Sequence, residues 1–213
     1  MTMWDGPVED VEESRRVLAT KRVFDGLVWD VRRDVVDLGD GQTVERDVLD
    51  HPGAVGVLAL DDRDRVLFVR QYRHPARRLL WEPPAGLLDV DEEHPLETAR
   101  RELFEEAGYR ASEWRVLVDF YNSPGGSTEA FRCYLARGLT PVDEVERHVG
   151  EHEERDMPVT WVPLDEAVRL VLGGRLHNPT AVNGVLAAYV ARSLGWATLR
   201  PADAPWPERF PAP

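Results

Sequence analysis

The spacing of apolar positions divides the chain into a strand-rich first half and a mixed second half. Val23, Phe24, Leu27, Val28, Trp29, Val31, Val35 and Val36 predict two strands between residues 22 and 38. Gly39-Asp40-Gly41 is a turn signal leading to a third strand over residues 44–48, which makes a meander. Residues 53–60 and 66–70 are apolar runs on either side of Asp61-Asp62-Arg63-Asp64 and predict a hairpin. Residues 79–81, 114–121, 130–136 and 159–162 read as further strands. Three segments carry the helical period instead. Pro95 suits a first helical position and Gly108 the residue past the end, with Leu96, Ala99, Leu103 and Ala107 as the apolar stripe between them. Residues 165–172 form a second helix, stopped by Gly173-Gly174. Asn178 is a good N-cap, with Pro179 at N1, for a third helix running to Gly195. Strands and helices in this order suit an α/β class, arranged as an α/β/α sandwich.

The stretches between these elements carry little apolar pattern. Residues 1–18 are polar and acidic, an arm or a short helix. Residues 141–156 are strongly acidic and longer than a hairpin loop needs, and loops of that length are often functional. The chain from Pro201 is proline-rich and is expected to lie extended on the surface. No internal repeat is present.

Composition narrows the function classes. The chain has 213 residues and 43% hydrophobic content, enough for one well-formed core. Its net charge of −13 disfavours a nucleic-acid partner, because phosphates are repelled at long range. A small phosphate ligand stays possible where a cation neutralises the site. Cys133 is the sole cysteine, which rules out an intrachain disulfide and suits a reducing compartment. No signal core and no run of 18 apolar residues occurs. The expectation is a cytoplasmic protein with no membrane partner.

The segment Arg101-Glu102-Leu103-Phe104-Glu105-Glu106-Ala107-Gly108 holds the candidate chemistry. At 100° per residue Glu102 and Glu106 lie one turn apart, and Glu105 falls on the same face. Like charges at i,i+4 oppose helix formation, and two of these acids sit at the end the helix dipole disfavours. A solvated acidic face is the plain reading. A hard divalent cation with oxygen ligands, Mg²⁺ or Mn²⁺, is the chemical one. Glu97, Arg101 and Glu105 stand at i,i+4 spacings, so Arg101 can brace that face.

The segment resembles the box of the Nudix hydrolases. Glu93, seven residues, and then Arg101 to Gly108 match its second half in full. Two departures occur: six residues rather than five separate Gly86 from Glu93, and Tyr109 stands where an aliphatic residue ends the pattern. The extra residue lies ahead of the helix and bulges the loop without rotating the acids. It leaves Glu92 and Glu93 as alternatives for one box position, and the count back from Arg101 favours Glu93. Outside the box, Gln71-Tyr72-Arg73-His74-Pro75, Trp81-Glu82-Pro83-Pro84-Ala85-Gly86 and Ser123-Pro124-Gly125 are similar to segments of the ADP-ribose pyrophosphatase subfamily. Pro124, sixteen residues after Gly108, is near the spacing that marks that subfamily, and Glu129 follows shortly after. The resemblance covers about residues 20–200.

The resemblance implies a Nudix fold with a mixed sheet, and an antiparallel N-terminal β-sheet over residues 1–50 used for homodimerisation. The Nudix domain would span residues 51–200, and residues 201–213 would form a proline-rich tail. It implies Mg²⁺-dependent hydrolysis of ADP-ribose to AMP and ribose 5-phosphate. Glu102 and Glu106 would be the metal ligands, with Glu105 supporting and the carbonyl of Ala85 contributing; Glu93 would support the loop or a metal-bound water. The general base would come from the long loop, at Glu153 or else Glu154, with Glu105 as the fallback. Arg73 and Glu82 would contact the diphosphate and the adenine or ribose, and Pro124 and Glu129 would belong to the substrate side. Trp29, Tyr72 and Trp81 are candidates to stack on the base, although a lone aromatic is more often core. His74, His148 and His152 lack zinc-ligand spacing. Alternatives are hydrolysis of another ADP-sugar or nucleoside diphosphate derivative, and a non-catalytic ADP-ribose sensor. Sensors of that kind lose box acids, and this chain keeps them.

Overall fold

The computed structural model describes residue 3 and residues 5–90, 92–143 and 157–209. It divides into a unit over residues 1–50 and a second over residues 51–213. The first is a three-stranded antiparallel meander of β1 (Val17–Phe24), β2 (Asp30–Gly39) and β3 (Gln42–Asp50). β1 starts within the segment expected to be an arm, because Val17 and Ala19 already pair with Val36 and Val35. Gly39, Asp40 and Gly41 all take positive φ at the β2–β3 turn, a run that two glycines make possible. Asp34 is buried on β2, where the Thr20 hydroxyl and Arg32 Nε (2.9 Å) both donate to it.

The second unit has three layers. A five-stranded mixed sheet runs in the order β11 (Arg200–Pro201), β8 (Tyr109–Tyr121), β9 (Ala130–Pro141), β4 (Ala54–Ala59), β7 (Ala85–Leu87). A three-stranded antiparallel sheet holds β10 (Val159–Pro163), β5 (Arg65–Arg73) and β6 (Arg78–Glu82). Strand alternation sorts the core onto two faces. Val55, Val57, Ala59, Leu67, Val69 and Tyr134 pack against Ala99, Leu103 and Ala107 of α1 (Pro95–Ala107). Leu58, Leu60, Val66, Phe68, Cys133 and Leu135 pack against α2 (Leu164–Leu172) and α3 (Pro179–Ser193). Each fully buried Leu, Val or Phe contributes roughly 1.5–3 kcal/mol. This is the α/β/α sandwich expected from the sequence. Among the described residues no helix is long and apolar enough to cross a membrane.

One local expectation changes. The runs flanking Asp61–Asp64 are not a hairpin ladder: only Leu60 and Val66 bridge. β4 pairs in parallel with β9, and β5 joins the other sheet. Both runs are buried on each face, so their partners are set by tertiary packing, not by the short turn between them. The C-terminal segment over residues 201–209 lies at the surface, as expected, and is anchored there. Arg132, buried on β9, forms a two-pronged ion pair with Asp119 (2.8 and 2.9 Å) and donates to the carbonyls of Ala204 (2.8 Å) and Pro205 (3.1 Å). Its guanidinium lies 4.7 Å from the centre of the Trp206 ring.

Candidate active site

The site begins with how α1 starts and stops. His94 caps the N-terminus by accepting from the Leu96 amide (3.2 Å), and Pro95 takes the first helical position. Gly108 ends the helix in the left-handed conformation, φ 69°. Between these ends Ala99 and Leu103 are fully buried, which rolls the acidic face onto the loop and turn that precede the helix.

Arg101 holds that face together. It pairs with Glu102 (2.7 Å), Glu105 (3.1 Å) and Glu93 (3.3 Å). Glu97 pairs with Arg100 instead of Arg101 (2.6 Å), so the expected brace holds on one side only. Burial alone would lower the affinity of Arg101 for its proton, but the three carboxylates outweigh it and raise its pKa. Glu93 also accepts from the Thr98 hydroxyl (2.9 Å), and its pKa is depressed chiefly by the Arg101 hydrogen bond. Glu93 is thus the loop acid tied to the helix. Glu92 takes φ 62°, a left-handed residue in the loop where the sequence carries one extra position.

Glu102 and Glu106 meet the backbone of β7. The Ala85 amide donates to Glu106 (2.9 Å). Glu102, 8% exposed, lies against Gly86; a Cβ added there would fall 2.1 Å from Glu102 Oε1. Gly86 is therefore glycine because a carboxylate occupies the space of its side chain. Carboxylate oxygens beside one turn are the donor type a hard divalent cation takes, and Glu102, Glu106 and the Ala85 carbonyl would be its holders. Among the described residues no three acidic, His or Cys side chains already close on one point.

Arg73 and Glu82 form the second part. Their side chains pair across β5 and β6 (2.9 Å), and Glu82 is 1% exposed. Its other oxygen accepts from the side-chain amide of Asn178, the residue that caps α3 through the Ala181 amide (3.1 Å). Burial raises the Glu82 pKa, against the opposing pull of Arg73. The sequence marked Asn178 only as a cap; its second bond, to a strand far away in the chain, has no local signature.

Pro124 lies in a turn closed by Gly126 and Ser127 amides onto the Ser123 carbonyl (3.0 and 2.9 Å). Glu129 accepts from Asn122 (2.7 Å), and His51 Nε2 stands 4.0 Å away. His51 Nδ1 accepts from the Gly53 amide (3.0 Å), and burial keeps its imidazole below its usual pKa against the pull of Glu129. His51 and Asn122 are neighbours of Glu129 that sequence reasoning missed. Trp81 is partly buried against the α2–α3 side of the core, with Arg70 over its ring (5.2 Å). Tyr72 is exposed and its hydroxyl meets His74 Nδ1 (3.3 Å). Burial pushes the Cys133 thiol up to about 12, so it is no nucleophile at neutral pH. Glu153 and Glu154, with His148 and His152, lie outside the described residues.

Comparison with known proteins follows the same lines. The NUDIX domain family matches residues 50–181. The chain is 46% identical over 198 residues to the ADP-ribose pyrophosphatase of Mycobacterium tuberculosis, covering 93% of this chain and 94% of that one. It is 35% identical to the methanol dehydrogenase activator of Bacillus methanolicus, covering 80% and 90%. Among solved structures an ADP compounds hydrolase superposes with a TM-score of 0.73 at 19% identity, covering 88% of this chain and 99% of that one, a likeness of fold.

Proposed function

Because the chain belongs to the NUDIX family, whose hydrolases generally use divalent metal ions, we propose that it hydrolyses the pyrophosphate bond of ADP-ribose with Mg²⁺ or Mn²⁺. One water adds across the P–O–P bridge, giving AMP and ribose 5-phosphate. The observation that carries the reading is the meeting of Glu102 and Glu106 with the Ala85–Gly86 turn. The similarity to the M. tuberculosis pyrophosphatase selects the substrate.

A pyrophosphate resists attack because its oxygens are already negative, and a bound divalent cation neutralises that charge and acidifies water. The chain's own residues prepare the place. Glu102 and Glu106 supply carboxylate oxygens at fixed positions, and Arg101 keeps Glu102 and Glu105 from splaying apart. Arg73, fixed by Glu82, presents its remaining donors to the diphosphate. Pro124 and Glu129 form the wall toward the substrate. Glu153, or Glu154 one position on, takes the proton of the attacking water, an assignment that rests on the count back from Met157. The chain acts as a homodimer. Leu18, Val23, Phe24 and Leu38 of the meander are exposed, which supports that reading.

The test is a panel of nucleoside diphosphate derivatives with product detection. ADP-ribose should give the highest kcat/KM, with AMP and ribose 5-phosphate in equal amounts and none without divalent metal. A preference for a GDP- or CMP-linked substrate overturns the assignment. Sedimentation at micromolar concentration should give twice the 24.2 kDa chain mass. Glu153→Gln should lower kcat far more than it raises KM.

A further inference from the structure

Away from the acidic turn, a cavity of about 430 Å³ lies between β6 and the α2–α3 connection, lined among others by Arg77, Arg78, Trp81, Arg175, Leu176 and His177. Arg77, Arg78 and Arg175 are among its lining residues, and no Asp or Glu is. By contrast Arg73, Arg101, Arg132 and Arg192 each pair with an acid. Among the described residues Arg77, Arg78 and Arg175 have neither an ion pair nor a side-chain hydrogen bond. In a chain of net charge −13, three unanswered cations on one concave surface repel each other unless an anion shares the space.

Arg77 gives an independent observation. Its φ is 51°, in the left-handed region that favours glycine or asparagine. Its amide closes the β5–β6 turn onto the His74 carbonyl (3.0 Å). A glycine would serve that turn better, yet an arginine of the cavity lining stands there. The N-terminus of the 15-residue helix α3 starts just beyond His177 and adds its partial positive charge.

We propose that this cavity binds a phosphomonoester: a small phosphorylated metabolite whose phosphate is held by Arg77, Arg78 and Arg175. Guanidinium forks match phosphate oxygens in geometry as well as charge. The volume exceeds what bare phosphate fills and falls within the range of small-molecule sites. Trp81, Leu79 and Leu176 offer apolar surface to the carbon skeleton. Both walls lead to the acidic turn. Arg78 begins the strand that ends at Glu82, and His177 precedes Asn178, which donates to Glu82. A ligand that draws the walls together therefore acts on the Glu82–Asn178 contact beside Ala85 and Gly86.

The test is calorimetric titration of the full chain in EDTA with glucose 6-phosphate, against inorganic phosphate and glucose. No turnover is read, so the result does not depend on the substrate assigned above. Glucose 6-phosphate should bind once per chain, inorganic phosphate more weakly, and glucose not at all. Arg77→Gly, which suits the positive φ and so endangers no folding, should weaken binding at least tenfold, as should Arg175→Ala. Glu102→Gln should leave it unchanged. Binding that survives both arginine substitutions, or is lost in Glu102→Gln, overturns the proposal. So does equal affinity for inorganic phosphate, or no binding at millimolar concentration.

Discussion

Glu102 and Glu82 flank the same turn and are held in opposite ways. Glu82 ends β6 immediately before Pro83-Pro84-Ala85-Gly86, is buried, and is answered by one guanidinium and one amide. Glu102 lies against the far side of that turn among acids: Glu93, Glu102 and Glu105 share a single Arg101. The first group is balanced within the protein. The second sets three carboxylates against one shared guanidinium. A balanced buried pair fixes geometry, and a cluster with more carboxylates than guanidiniums invites a cation. The difference separates scaffold from chemistry more sharply than burial does.

The strongest way to break this comparison is to remove charge on the unbalanced side. Glu102→Gln or Glu106→Gln should lower kcat by about 10³-fold or more if, as proposed, each supplies an oxygen to the metal. Folding should be intact or improved because repulsion is relieved. Added Mg²⁺ should raise the Tm of the natural chain and of neither variant. Wild-type turnover in either variant at saturating metal would place the chemistry elsewhere.

Gly86→Ala tests position at constant charge. Gly86 does not require positive φ, so alanine suits its backbone, but the new Cβ meets Glu102 Oε1 at 2.1 Å and Cγ at 2.7 Å. The carboxylate must swing away. Activity should fall by roughly 10–100-fold, as misplacement by about an ångström does, with a smaller change in Tm. Unchanged kcat would mean that Glu102 works from a different rotamer.

The unequal legibility of the two sides has a physical cause. The helix α1 reads directly because its cap, stripe, acids and stop signal lie within one short stretch and obey one period. Glu93 could be picked over Glu92 by counting from Arg101, and its bonds to Thr98 and Arg101 agree. The balanced side is different. Glu82 and Asn178 stand 96 positions apart, and nothing in either neighbourhood points to the other. The same holds for His51 and Glu129, brought together by the parallel pairing of β4 with β9. That pairing also defeated the hairpin reading, since adjacency in sequence favoured β5 as the partner. The anchoring of the C-terminal segment had no local signature, because Arg132 lies near the start of a distant strand.

On the balanced side the effect moves from activity to stability. Asn178→Ala removes the α3 cap, worth about 1 kcal/mol, and leaves a buried Glu82 oxygen without its donor, a further ~1–3 kcal/mol. Thermal unfolding should show a Tm lower by several degrees. Asn178→Asp keeps the cap but sets a second carboxylate beside Glu82, so it should not restore the loss. Full recovery in Asn178→Asp would show that the cap alone matters.

The smallest effect is the sharpest test, because the two sides should differ in sign. Glu93 has its pKa depressed below the ordinary 4.5 by Arg101, so the folded protein releases that proton more readily than the unfolded chain. Its contribution to stability is present above pH 4.5 and is lost as pH falls through the depressed value. Glu82 has its pKa raised above 4.5 by burial, so the fold holds that proton more tightly. Its linkage favours folding below pH 4.5 and fades as pH rises from there through the raised value. Unfolding measured from pH 3 to pH 7 should therefore respond on different limbs. Glu93→Gln should flatten the loss of stability on the acid side of 4.5. Glu82→Gln should leave that limb alone and remove a decline on the other side, on top of a constant loss from the Arg73 partner it no longer answers. The slope, not the offset, is diagnostic. If both substitutions flatten the same limb, the two carboxylates are held alike, and the distinction between a balanced pair and an unbalanced cluster fails.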